Sequence, residues 1–81
     1  MKVVLLPQAV EDLDQIEDPL YSRVLRRLRL LAKTPAMGAP MAGPFTGYRS
    51  TVVGLFRVVY RVTERTVEIA YIRHCRRSPP G

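Results

Sequence analysis

The sequence has no tryptophan, one cysteine, one histidine and only seven acidic residues among 81. Cys75 alone excludes an internal disulfide framework and suits a reducing compartment. One cysteine and one histidine are too few for a structural zinc site. There is also no glycine-rich phosphate loop, no paired-carboxylate motif and no nucleophile–base–acid constellation, so neither a cofactor nor a metal is expected. Long apolar runs are missing as well. The VVLL stretch at residues 3–6 is too short for a signal-peptide core, and acidic residues follow it closely. A soluble cytoplasmic protein with no membrane role is therefore the expectation. Repeats and low-complexity tracts are absent, and the mixture of hydrophobic and charged residues is that of one globular domain spanning residues 1–81. A chain this short buries a modest fraction of its surface, so marginal stability that gains from a partner is expected.

What is present is positive charge, unevenly placed. Glu11, Asp12, Asp14, Glu17 and Asp18 supply five of the seven acids; beyond them only Glu64 and Glu68 stand against twelve of the thirteen lysines and arginines. That asymmetry suggests an anionic partner, either nucleic acid or an acidic protein segment, with an ordinary solvated basic surface as the alternative.

Periodicity places the elements. KVVLL (2–6) reads as a strand. From Pro7, Ala9, Leu13 and Ile16 recur at helical spacing, and this helix should stop near Asp18-Pro19, because a residue before proline is biased away from helix. A second helix should run from about Pro19 to Lys33. Leu20, Tyr21, Val24, Leu25, Leu28, Leu31 and Ala32 fall on one face, with Arg23, Arg26, Arg27, Arg29 and Lys33 opposite. Leu30 lies among those arginines, either as an ordinary exposed leucine or as a contact point. Residues 34–47, with three prolines and three glycines, should form a loop without regular structure. Strand patterns follow at 48–53, 55–62 and 66–73, with Gly54 and then residues 63–65 as turns. The expected fold is α+β in the order β-α-α-β-β-β, with a helical hairpin packed on one face of a small, largely antiparallel sheet.

The strand LFRVVYRV (55–62) carries the functional question. Alternation puts Phe56, Val58, Tyr60 and Val62 under the helices, and Leu55, Arg57, Val59 and Arg61 on a sheet face that no helix covers. Around that face the sequence collects Arg49, Arg57, Arg61, Arg73, His74, Arg76 and Arg77, with Tyr48 and Tyr60 near them in the chain. Arginine keeps its charge and offers a planar fork of donors to phosphate, so such a group can grip an RNA backbone. It can also stabilise the extra negative charge that develops when a 2′-hydroxyl attacks phosphorus. His74 is the natural acid or base, set against the alternative of a surface histidine beside a basic tail.

GYRSTVVGLFRVVYRV followed by VEIAYIRHCRRSPP resembles the C-terminal half of the RelE/ParE superfamily of bacterial toxins, and the element order matches over the whole chain. The resemblance implies the toxin of a type II toxin–antitoxin pair, held by a cognate acidic antitoxin over the basic surface. It implies one of two targets. RelE-like members cleave mRNA in the ribosomal A site, whereas ParE-like members inhibit DNA gyrase without cutting RNA. A third possibility is an inactive homologue that only binds its antitoxin. On the nuclease reading Arg57 matches the strand arginine used at the scissile phosphate, and Arg76 or Arg77 matches a second arginine. Arg49, Arg61 and Arg73 would position RNA, and His74 or a tyrosine would handle protons. Tyr48, Arg49 and Ser50 stand where such nucleases often carry lysines, and Ser78-Pro79-Pro80-Gly81 holds no C-terminal tyrosine.

Overall fold

A computed structural model describes residues 1–76, so Arg77 lies outside the described residues. Strand β1 (Lys2–Leu5) leads into helix α1 (Pro7–Asp14) and helix α2 (Leu20–Lys33), followed by a two-residue strand β2 (Ala39–Pro40) and three longer ones, β3 (Arg49–Val53), β4 (Phe56–Val62) and β5 (Thr66–His74). The five strands form one sheet in the order β1-β5-β4-β3-β2. β1 runs parallel to β5, and every other pair is antiparallel. No helix among the described residues is long and apolar enough to cross a membrane.

Pro7 opens α1 at the position where its fixed φ and missing N–H cost nothing. The helix ends at Asp14, before the expected Asp18 boundary, yet Ile16 beyond it is still buried. Asp18 instead serves the next helix. One of its carboxylate oxygens accepts both the backbone N–H (3.0 Å) and the hydroxyl of Ser22. The Ser22 hydroxyl, and then its N–H, hold the Asp18 carboxyl below the usual carboxylate range. The core is the one the periodicities imply. Ala9, Leu13 and Ile16 with Val24, Leu28 and Leu31 pack on Val53, Val58, Tyr60, Val67, Ile69 and Ile72. Fully buried residues such as Val24 and Leu31 each contribute about 1.5–3 kcal/mol of transfer free energy. Arg27 departs from its expected place on the exposed helix face: it is half-buried, and its guanidinium donates to Thr51 Oγ1 and to the Val52 carbonyl (3.2 Å), tying α2 to β3.

Residues 34–47 are more ordered than their proline and glycine content implies. They hold two 3-10 turns, at Pro35–Met37 and Gly43–Phe45, and β2 between them. Pro40 is tolerated because β2 is an edge strand. Side chains from the sheet fasten the segment. The buried Tyr60 hydroxyl donates to the Pro35 carbonyl (2.7 Å) and accepts the Gly38 N–H (2.9 Å). A Cβ on Gly38 would stand 2.5 Å from that hydroxyl, so the position admits only glycine without movement.

Two irregularities in β5 decide what reaches the site. Val59 pairs with Tyr71, but its neighbour Tyr60 pairs with Ile69, leaving Ala70 as an extra residue. This bulge inverts the alternation of the last part of the strand. Without it Tyr71 would share the core face with Val67 and Ile69; with it, Tyr71 and Arg73 turn outward while Ile72 and His74 turn toward the helices. Second, β1 stops opposite Ile69, and beyond that point the edge of β5 has no strand beside it among the described residues. Asp12 of α1 fills the gap, its Oδ2 accepting the Ile72 N–H at 2.9 Å.

Candidate functional site

The sheet face away from the helices carries Arg57, Val59 and Arg61 from β4, with Arg73, Tyr71 and Glu68 as their respective partners on β5. No helix among the described residues covers it, but it is not bare. Val59 is fully buried although it lies outside the main core cluster. The Gly43–Phe45 turn lies over this part of the sheet, with the Phe45 ring edge-on to Tyr71 (6.0 Å between centroids) and to Tyr48 (6.3 Å). An aromatic cluster therefore divides the face into two ends.

At one end Arg57 and Arg73 stand directly opposite each other on neighbouring strands. Like charges so placed repel, which costs stability unless an anion lies between or beside them. Arg57 is exposed, and among the described residues no carboxylate pairs with it. The Arg73 Nε is 3.9 Å from Asp12 Oδ2, within ion-pair reach but too far for a hydrogen bond, and this buried atom has no hydrogen-bond partner. Tyr71 stands beside the pair. Burial pushes its hydroxyl pKa up, while the charges of Arg57 and Arg73 pull the other way. The phenol is thus held protonated at neutral pH next to two guanidiniums. At the other end Arg61 is committed: its Nε donates to Glu68 Oε1 at 2.7 Å, and its guanidinium lies 5.7 Å from the Tyr48 ring centroid. The Glu68 hydrogen bond raises the Arg61 pKa further above its already high value.

Two expectations are corrected by this geometry. Arg49 does not join the group. It pairs with Tyr60 on the helix side, and its Nη1 donates to the carbonyls of Gly38 (2.7 Å) and Ala36 (3.3 Å), clamping the 35–40 segment. His74 does not join it either, because the bulge turns it to the helix side. There its ring packs edge-on to Phe56 (5.7 Å) and lines a cavity of about 210 Å³ with Asp12, Gln15 and Arg73. Tyr60, near the arginines in the chain, lies on the helix side as the alternation implies, buried and bonded to the loop. Arg76 is exposed in the turn after β5, with its N–H on His74 Nδ1 (3.2 Å). The residue that sequence reasoning missed is Tyr71. The pattern VEIAYIR alternates too ambiguously to reveal a bulge, and only the pairing register shows which way this tyrosine points.

A second basic surface lies on α2, where Arg23, Arg26, Arg27 and Leu30 border a shallow cavity of about 260 Å³. Leu30 is 43% exposed there.

Comparison with known proteins gives a consistent family picture. The family described as "ParE toxin of type II toxin-antitoxin system, parDE" matches residues 3–79. Among solved structures, the chain is similar to the toxin–antitoxin complex RelBE2 from Mycobacterium tuberculosis, with 25% identity, 90% of this chain and 95% of that chain covered, and a TM-score of 0.83. It is also similar in fold to the RelBE toxin–antitoxin complex of E. coli, with 12% identity, 94% and 98% covered and a TM-score of 0.79. The chromosomal ParDE toxin–antitoxin system of P. aeruginosa matches at 19% identity, 91% and 95% covered, with a TM-score of 0.74. No curated protein sequence matches the chain.

Proposed function

The chain belongs to the ParE toxin family of type II toxin–antitoxin systems, and from that premise we propose that it arrests growth in the cytoplasm by cleaving mRNA on the ribosome. The observation that supports this reading is the cross-strand pair Arg57–Arg73, with Tyr71 beside it on the same side of the sheet. In the proposed reaction the 2′-hydroxyl oxygen of a nucleotide bonds to the adjacent phosphorus, and its proton passes to solvent. The bond from phosphorus to the 5′-oxygen breaks. The Tyr71 hydroxyl gives its proton to that leaving oxygen and recovers one from water, and a 2′,3′-cyclic phosphate and a 5′-hydroxyl result. Arg57 and Arg73 stabilise the charge that builds on the phosphoryl oxygens. Arg76, and Arg77 after it, supply further positive charge beyond the end of β5. His74 has no part in the proton transfer, since it faces the helices.

A second reading, inhibition of DNA gyrase without catalysis, is favoured by the ParE family match itself. In either case the partner is an acidic antitoxin whose carboxylates neutralise the basic surfaces, including the arginines of α2. The deciding experiment incubates the purified chain with programmed ribosomes. Message cut within the A-site codon supports the nuclease. Intact message, together with arrest in cells and loss of gyrase supercoiling, overturns it in favour of the second reading.

A further inference from the structure

Asp12 stands where the scaffold meets the arginine pair. It is a half-buried residue of α1, and both of its carboxylate oxygens are engaged. Oδ2 accepts the Ile72 N–H and Oδ1 accepts Gln8 Nε2, each at 2.9 Å. The carboxylate is therefore fixed from two sides, whereas Arg73 is not. Its Nε lies 3.9 Å from Asp12 Oδ2, and this buried donor has no hydrogen-bond partner among the described residues. The contrast with Arg61 is direct, since that guanidinium closes on Glu68 at 2.7 Å. Asp12 and Arg73 both line the cavity of about 210 Å³ at the edge of β5, which gives the guanidinium space to shift. Arg57, directly opposite on β4, repels it from the other side.

We propose that Asp12 is a built-in competitor of the phosphate: its carboxylate is the resting counter-ion of Arg73, and a bound phosphate takes Arg73 from it. In the empty protein the carboxylate holds Arg73 beside Arg57 in spite of their repulsion. On binding, Arg73 gives up an ion pair that has no hydrogen bond and gains charge-assisted hydrogen bonds to phosphate oxygens. Asp12 loses little in the exchange. The Ile72 and Gln8 donors stay on it, so no buried charge is left bare. The acid is thus a positioning residue, acting through Arg73 without touching the ligand. It weakens the binding of any phosphate at this end of the face, whatever base is attached, and so hastens release of a cleaved product. The proposal rests on a phosphate binding at the Arg57–Arg73 pair, as the proposed cleavage requires.

The test measures binding of the purified chain to a short fluorescent single-stranded RNA carrying 2′-O-methyl groups, which block cleavage. Asp12→Asn removes the charge and keeps an oxygen for the Ile72 N–H. It should bind roughly two- to tenfold more tightly than the parent, and the slope of log affinity against log salt should steepen by about 0.7. Asp12→Glu, which restores the charge, should return the affinity toward that of the parent. In an Arg73→Ala background Asp12→Asn should change nothing. Asp14→Asn, the same loss of charge at an exposed position of the same helix, should leave affinity and slope at the parent values. A merely structural role for Asp12 predicts weaker binding, so unchanged or weaker binding by Asp12→Asn overturns the proposal. A gain that persists without Arg73, or that Asp14→Asn reproduces, overturns it too. Should the asparagine protein not fold, NMR of the parent decides. The Asp12 carboxyl-carbon and Arg73 Nε signals should move and saturate together as RNA is added, and an Asp12 signal that stays still overturns the exchange. Uncut message on ribosomes with the Arg73-dependent gain intact keeps the exchange and sinks the nuclease reading. Cleavage by the parent without that gain does the reverse.

Discussion

Arg57 and Arg61 stand four residues apart on one strand and face the same way, yet they occupy opposite kinds of site. Arg57 looks across at another arginine, Arg73, whereas Arg61 looks across at Glu68 and is bonded to it. At one end Arg57 has no carboxylate partner among the described residues and faces an arginine that reaches Asp12 only at 3.9 Å; at the other Arg61 is closely paired. A protein gains nothing in stability from opposing two guanidiniums on neighbouring strands. Asp12 serves Arg73 at ion-pair distance, while Arg57 is left open to an external anion, so function is to be sought at that end. Identical residues at identical spacing are distinguished by their cross-strand neighbours alone.

The comparison can be broken most directly by Arg57→Ala. Cleavage should fall about 100-fold or more, while thermal stability should hold or rise because a repulsion is removed. Arg61→Ala should change the rate less than about threefold, being one phosphate contact at most. Equal losses in a message-cleavage assay would erase the distinction between the two ends. Tyr71→Phe comes next: cleavage should drop about 100-fold with RNA affinity unchanged, whereas Tyr48→Phe at the Arg61 end should cleave normally. A smaller effect is expected from Glu68→Gln, which releases Arg61. RNA affinity should rise a few-fold, and the dependence of log affinity on log salt should steepen by about 0.7 for one added phosphate contact. Anisotropy titrations at several salt concentrations would show it, and an unchanged slope would mean that Arg61 reaches no phosphate even when free. The smallest effect is in pH. Burial raises the Tyr71 pKa in the folded chain, so between the ordinary tyrosine value near 10 and the folded value the folded state retains a proton that the unfolded state has lost. Stability from this source is complete below about pH 10 and declines as pH rises through that window. Alkaline denaturation of Tyr71→Phe should show a shallower decline than that of the parent.

Much of the scaffold was legible in the sequence because its signals are local. Pro7, the helical spacing of Ala9, Leu13 and Ile16, and the broad apolar face from Leu20 to Leu31 each specify an element without reference to the rest of the chain. Gly54, with φ of +57°, marks the turn between β3 and β4 as its place in the sequence implies. The site was less legible because it depends on register. Arg57 and Arg61 were placed on the correct face by alternation within β4. Nothing in VEIAYIRH announces that Ala70 is an extra residue, and that single insertion moves His74 away from the arginines and brings Tyr71 to them. The reach of long side chains was equally hidden. Arg49 and Arg27 look like surface charge in the sequence, and in the fold they hold a loop and a helix to the sheet.

Asp12 carries a consequence of another kind. Where β1 ends, the outer edge of β5 would offer backbone donors to any passing strand, the usual starting point for edge-to-edge aggregation. The carboxylate that accepts the Ile72 N–H occupies one of those donors and sets a negative charge along the margin. A foreign strand laid there would have to displace a charge-assisted hydrogen bond before forming its own. The last part of β5, which carries Tyr71 and Arg73, is thereby shielded from unintended self-association in a chain small enough to be exposed to it.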